Sequence, residues 1–92
     1  MSREAIIALL DRYRVRATYG AVAAIVGEPA MFLMNNLPRT PLNSWVVNQD
    51  THLPTGYTEA ERHPDLLKNK LVLDTKQKLH DWIERKSARK DP

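Results

Sequence analysis

The stretch VRATYGAVAAIVGEP, residues 15–29, decides the fold because it holds a short helix with a signal at each end. Thr18 is a good N-cap, the run that follows is rich in alanine, and Gly27 is the residue type that most often ends a helix. Pro29 suits the first position of a further helix over residues 30–36. The stretch therefore predicts two helices joined by a tight turn, the outline of a helix-turn-helix.

A first helix is predicted from its N-cap, Ser2, to Tyr13. Its apolar residues Ile6, Ile7 and Leu10 fall at the spacing of one helical face. A last helix is predicted downstream with Asp74 as its cap, and its inner face carries Leu79, Trp82 and Ile83.

Between these helices the sequence predicts short strands. The clearest is 44–48, which contains Trp45, and the apolar run 71–73 predicts another. The proline-broken segment 53–57 predicts at most a poor edge strand. A helix is expected to begin either at Thr58, whose capping-box partner would be Glu61, or at Pro64 and run to residue 70.

The predicted fold is mainly α with a small β component, a single winged-helix-like domain over residues 1–85. The Trp45 strand would lie in the region of the wing. Residues 86–92 are predicted to form a basic, flexible tail.

The composition excludes several kinds of site. With no cysteine in 92 residues, there is no disulfide, thiolate nucleophile or zinc–thiolate site. The three histidines do not have the spacing of metal ligands, and we expect no metal and no cofactor. No apolar run is long enough for a membrane span, so a cytoplasmic location is expected. A net charge of +3 suits a phosphate backbone and equally suits simple solubility.

Several polar residues could contact a nucleic acid. Tyr19 would stand at the start of a helix, where phosphates dock, or it would pack against the first helix. Asn35 and Asn36 could read base edges or could simply end their helix. Trp45 is either a core residue or an exposed platform. The apolar run 31–34 is expected to be core.

Three segments, taken together, resemble one family of proteins. They are VRATYGAVA followed by Gly27-Glu28-Pro29, then VVNQD (46–50) followed by Gly56-Tyr57, and finally DLLK (65–68) followed by LVL (71–73). In this order they resemble the DNA-binding domain of the DNA alkyltransferases and their non-enzymatic alkyltransferase-like relatives. The resemblance covers roughly residues 4–80. It implies that Tyr19 contacts a phosphate beside a flipped nucleotide, with Arg16, Thr18 and Gly20 as its neighbours.

The chain departs from this family at the reactive centre. Asn43 occupies the place of the family's alkyl-accepting cysteine, or of the tryptophan that replaces it in the relatives. An amide cannot act as a thiolate nucleophile, so alkyl transfer by that mechanism is excluded. The arginine that props open the base stack in the family is also absent from its expected place, and Arg39 lies too late in the chain to inherit that role.

The sequence therefore predicts a non-enzymatic DNA-binding protein, with duplex DNA as its partner and DNA damage recognition as the role that the resemblance implies. The residues expected to contact DNA are Arg14, Arg16, Thr18, Tyr19, Asn35, Asn36, Arg39 and Asn43. The alternative is a protein-interaction module of the same fold that would present Met31, Met34 and Trp45 to a protein partner.

Overall fold

Three short parallel strands form the centre of the computed structural model, which describes residues 1–88. They are β1 (Arg16–Thr18), β2 (Val46–Val47) and β3 (Val72–Leu73), arranged in the order β2-β1-β3. Every residue of β1 is buried, as expected for the middle strand of a parallel sheet that is covered on both faces.

Three helices surround this sheet: α1 (Arg3–Tyr13), α2 (Tyr19–Val26) and α3 (Lys76–Ala88). Helices α2 and α3 pack against each other, and α1 packs against α2. Together they enclose a core whose largest fully buried side chains are Trp45, Ile6, Leu10, Leu33 and Leu79.

The ends of the first two helices confirm the predictions made from local signals. The Ser2 hydroxyl accepts a hydrogen bond from the Ala5 N–H at 3.1 Å, and the Thr18 hydroxyl accepts one from the Ala21 N–H at 3.2 Å. Gly27 ends α2 in the left-handed region with φ of 84°. Each signal acts within one turn of the chain, so no tertiary contact is needed for it to work.

The predicted helix over 30–36 is wrong. Residues Ala30–Phe32 form a 3₁₀ helix, and turns follow as far as Asn36, which has a positive φ of 67°. The apolar residues of 31–34 are consecutive, so one helical face cannot bury them all. Only Leu33 is buried, and the expectation that this whole run is core is therefore wrong as well.

The predicted strand over 44–48 is shorter than expected. A 3₁₀ helix, Pro41–Trp45, comes first, and only Val46–Val47 pairs with the sheet. Pro41 supplies a suitable backbone for the start of that turn, and the Ser44 hydroxyl donates to the Pro41 carbonyl at 2.7 Å.

The second half of the chain is more irregular than predicted. The Thr58 N–H donates to the Glu61 carboxylate at 2.7 Å, so the capping pair forms, but it begins only the 3₁₀ helix Glu59–Glu61. Residues 64–68 form turns rather than a helix, and 53–57 form no strand. The strand expected at 71–73 is confirmed over Val72–Leu73.

The cap of the last helix lies one residue later than predicted. The Thr75 hydroxyl accepts from the Lys78 N–H at 3.1 Å, whereas the Asp74 carboxylate binds the Lys78 ammonium at 3.0 Å. Thr75, like Asp74, is a residue type that caps helices well, so the local sequence does not show which of the two is the cap. Helix α3 continues to Ala88, beyond the boundary set for a flexible tail, and residues 89–92 of that predicted tail lie outside the described part.

The fold is thus a small mixed α/β domain with three helices and a parallel sheet. The described strands pair only in parallel, so none of them forms a hairpin with its neighbour. The parallel arrangement brings the carboxyl ends of β1 and β2 to the same edge of the sheet, next to the start of α2.

Candidate functional site

Tyr19 stands at the first position of α2, directly after the Thr18 cap. Its side chain is half-buried, and its hydroxyl oxygen accepts a hydrogen bond from the Thr55 N–H at 2.9 Å. A phenol can accept and donate at the same time, so the O–H remains available as a donor to a ligand. The bond also ties α2 to the loop that follows β2.

Arg39 reaches the same loop from the other side. Its guanidinium lies so close to Gly56 that a Cβ at that position would be 3.1 Å from Nη2. Gly56 also has a positive φ of 77°, so glycine is favoured there by both conformation and space. The Arg39 side chain is exposed, and no residue within 1–88 pairs with its guanidinium.

Tyr57 lines the same cavity as Tyr19 and Arg39. Burial raises the pKa of its phenol above the ordinary value, and the neighbouring Tyr19 raises it further, while Arg39 opposes both effects. Like any tyrosine, Tyr57 is neutral at physiological pH, so its phenol can donate a hydrogen bond.

These three side chains line one cavity of about 370 Å³, whose remaining wall is Met34, Leu37, Pro38 and Thr55. A neighbouring cavity of about 290 Å³ shares Tyr19, Met34 and Thr55 with it and adds Ala30 and Met31. The first volume lies within the range of small-molecule pockets. A cation, two phenols and an apolar floor can bind a flat, polar ring together with an adjoining anion.

Arg16 and Thr18 do not belong to this site, which corrects two predictions. Arg16 is only 7% exposed, because it begins the middle strand, and its guanidinium donates to the carbonyls of His52 at 2.9 Å and Asn69 at 3.1 Å. Burial lowers its pKa. Thr18 is fully buried as the helix cap. Neither side chain can reach a ligand at the surface.

Asn43 is also misplaced as a contact residue. It is 6% exposed, and its amide donates to the Pro38 carbonyl at 2.9 Å. Pro38 lines the cavity, so Asn43 supports the wall from behind instead of facing a ligand.

Arg14 lies apart from the cavity at the end of α1. Its guanidinium contacts the Asp65 carboxylate at 3.4 Å and also donates to the Asp11 carbonyl. The same group lies 3.4 Å from the Asp11 carboxylate, so Arg14 is occupied by acidic partners of its own chain.

Asn35 and Asn36 are exposed on the other side of the 30–36 segment from Tyr19. They line a separate cavity of about 640 Å³, together with Phe32 and Arg3. The Arg3 guanidinium donates to the Leu33 and Asn35 carbonyls at 2.6 and 2.8 Å, which fixes this part of the turn.

Trp45 is fully buried, so the prediction that it belongs to a protein-interaction surface is wrong. Its indole N–H donates to the Asp11 carboxylate at 2.9 Å, and its ring lies 4.9 Å from that of His63. These contacts connect α1 to the 3₁₀ helix Pro41–Trp45 and to the loop that contains His63. Met31, in contrast, is 78% exposed and Met34 is half-buried.

Sequence reasoning missed Tyr57, Thr55 and Phe32 as site residues. The Gly56-Tyr57 pair had been noted only for the family resemblance. The useful signal was the glycine itself, because a glycine in an otherwise ordinary loop often marks close approach of another group. No comparable signal pointed to Thr55, which contributes a backbone N–H.

Within 1–88, no three acidic or histidine side chains come together as a set of metal ligands. No helix there has the length and apolar character needed to cross a membrane. A comparison with models of known families, with curated proteins and with solved structures found no match.

Proposed function

We propose that this protein binds DNA without catalysing a reaction, and that the cavity lined by Tyr19, Arg39 and Tyr57 is its contact site. The observation that carries the proposal is the grouping around one concave wall of two phenols and a guanidinium that has no partner among residues 1–88. Phosphates and bases both find partners in such a group.

The polar groups suit a nucleotide. Arg39 can form charge-assisted hydrogen bonds with phosphate oxygens, and the free O–H of Tyr19 can donate to the same anion. Tyr57 lines the same cavity and supplies a further donor and a ring face for a base. The apolar side chains Met34 and Leu37 give a base an uncharged floor.

A role in recognising damaged DNA follows from the same geometry. A base that has left the stack needs a pocket, and damaged or mismatched bases leave it at the lowest cost. The resemblance to alkyltransferase-like proteins implies such a role for Tyr19. Arg39 would then bind the DNA backbone beside the pocket, although it does not match the family's arginine that props open the base stack.

Binding without catalysis fits the residues around the cavity. The chain has no cysteine, and the amide of Asn43, at the position matched to the family's nucleophile, is bonded to a backbone carbonyl. The proposal includes the winged-helix comparison: α2 and the 30–36 segment would take the place of the helix-turn-helix, and the loop 48–57 that of the wing.

The protein-interaction module remains a second candidate because Met31 and Phe32 are exposed, at 78% and 53%. Contiguous exposed apolar side chains can mark a surface for a protein partner. With Trp45 buried, this candidate depends on these two residues and Met34.

The test is a fluorescence-anisotropy titration with plain duplex, single strand, and duplex that carries one guanine alkylated on its exocyclic oxygen. Binding should weaken as salt rises, with a log–log slope of about −0.9 per phosphate contact on duplex. Tyr19→Phe removes the O–H donor together with the acceptor of the Thr55 N–H, and Arg39→Met removes the charge and the N–H donors of the guanidinium. Each should weaken binding while the protein stays folded.

The three DNAs separate the alternatives. Tighter binding to the alkylated duplex would support damage recognition, and equal, salt-dependent binding would support a general DNA-binding role. If none of the three binds at low salt, the DNA proposal is wrong and the exposed Met31 surface becomes the site to pursue.

A further inference from the structure

The 30–36 segment separates two cavities instead of forming a long recognition helix. Met31 and Met34 face the cavities that Tyr19 lines, whereas Phe32, Asn35 and Asn36 line the 640 Å³ cavity on the other side. A 3₁₀ helix of three residues, Ala30–Phe32, is too short to lie along a major groove and read several base pairs.

Phe32 is an exposed aromatic residue. It is 53% exposed and lies outside the core cluster, although aromatic side chains gain much from burial. An exposed aromatic ring beside a polar cavity is the arrangement on which unpaired bases stack.

The polar groups around Phe32 can read a base. Within residues 1–88 the side-chain amides of Asn35 and Asn36 have no protein partner, so each can both donate and accept. Arg3 holds the Asn35 carbonyl at 2.8 Å, which keeps this part of the turn in a fixed conformation. Two free amides and a ring are complementary to the edge and the face of one base.

The charges around the 640 Å³ cavity favour a neutral base over the phosphate backbone of DNA. Glu4 and Glu28 stand at its wall, and the Arg3 guanidinium is already bonded to Glu4 at 2.6 Å. Phosphates are therefore disfavoured there and favoured on the side of Arg39, so a strand would place its backbone toward Arg39 and a neutral base toward Phe32.

We infer that the protein binds single-stranded DNA in preference to duplex, with one unpaired base in the Tyr19 cavity and a second stacked on Phe32. This inference rests on the proposed DNA-binding function. A duplex can extrude one base into a pocket, but bases on both sides of the 30–36 segment require an unpaired strand.

The experiment compares a labelled thymidine oligomer with a duplex of the same length by anisotropy, using wild type, Phe32→Ala, Phe32→Trp and Leu67→Ala. Leu67 is the matched control, because it is an equally accessible apolar residue at 62% exposure and lies in another part of the surface. Phe32→Ala should weaken single-strand binding about five- to a hundredfold, and Leu67→Ala should leave it unchanged.

Phe32→Trp adds a direct signal. Both native tryptophans are buried, so a tryptophan at position 32 would be the exposed one, and stacking should quench it while binding stays near that of wild type. The same titration with wild type supplies the background from Trp45 and Trp82.

Each outcome decides the inference. Duplex binding as tight as single-strand binding would overturn it and leave the proposed function intact. Unchanged single-strand affinity in Phe32→Ala, or an unquenched tryptophan in Phe32→Trp, would also overturn it. Failure of wild type to bind either DNA would reject the proposed function together with the inference.

Discussion

Arg16 and Arg39 were both predicted to contact DNA, but Arg16 is buried in the structure whereas Arg39 is exposed. Arg16 begins the middle strand, is 7% exposed and donates to two carbonyls of its own chain. Arg39 lies on the surface against Gly56 with no protein partner within residues 1–88. The same side chain is structural in one place and available for a ligand in the other, and burial decides which.

Substituting methionine at both positions gives the largest contrast. Arg16→Met keeps the apolar stem but leaves the His52 and Asn69 carbonyls without donors, so the free energy of unfolding should fall by about 2–4 kcal/mol. Arg39→Met should change it by less than about 0.5 kcal/mol. Urea unfolding, followed through the buried tryptophans, measures both values.

The effects of the two substitutions on DNA affinity should be the opposite of their effects on stability. Arg39→Met should lower the affinity, whereas Arg16→Met should keep it at a temperature where the variant is folded. Equal losses of stability at the two positions, or lost binding in folded Arg16→Met alone, would contradict the comparison.

Gly56→Ala sharpens the comparison by moving Arg39 without removing it. Alanine at a φ of 77° should cost about 1–2 kcal/mol of stability. Its Cβ would lie 3.1 Å from Arg39 Nη2, so the guanidinium would have to shift by a few tenths of an ångström. Affinity for DNA should fall as well. In an Arg39→Met background the stability cost should persist, but the effect on affinity should vanish. An undiminished loss of affinity in the double variant would mean that Gly56 acts independently of Arg39.

The smallest expected effect is the dependence of stability on pH that Tyr57 causes. Since its pKa in the folded protein is raised above the ordinary value of 10.0, the folded state holds the phenolic proton more tightly than the unfolded chain. Its contribution to stability is therefore complete below pH 10.0 and is lost as the pH rises through the folded pKa. Tyr57→Phe should remove this alkaline dependence, as measured by unfolding midpoints across that range. An unchanged dependence would assign it to other groups.

How much of the fold the sequence predicts depends on whether a feature is set by neighbouring residues or by tertiary contacts. The caps at Ser2 and Thr18 and the end of α2 at Gly27 are local, and they were predicted correctly. The 30–36 segment failed because its apolar residues are consecutive, and only the tertiary packing determines that Leu33 alone is buried.

The site was harder to predict than the helices. Tyr19 and Arg39, both predicted from the sequence as contact residues, line the candidate cavity. Arg16 is buried instead, because a strand of three residues has too short a pattern to reveal its burial. Tyr57 and Thr55 reach the site through a loop that no periodicity describes. The contact of Arg39 with Gly56 joins positions far apart in the chain, and only the folded structure shows it.

The most direct test of the central claim is to follow backbone amide resonances by NMR while unlabelled DNA is added to the isotopically labelled protein. The account predicts that the amides of Thr55 and Gly56, beside Tyr19 and Arg39, shift strongly while those of Arg16 and Asn69 do not. Shifts confined to the surface around Arg14, or no shift at any amide, would contradict the claim that the Tyr19–Arg39–Tyr57 cavity binds DNA.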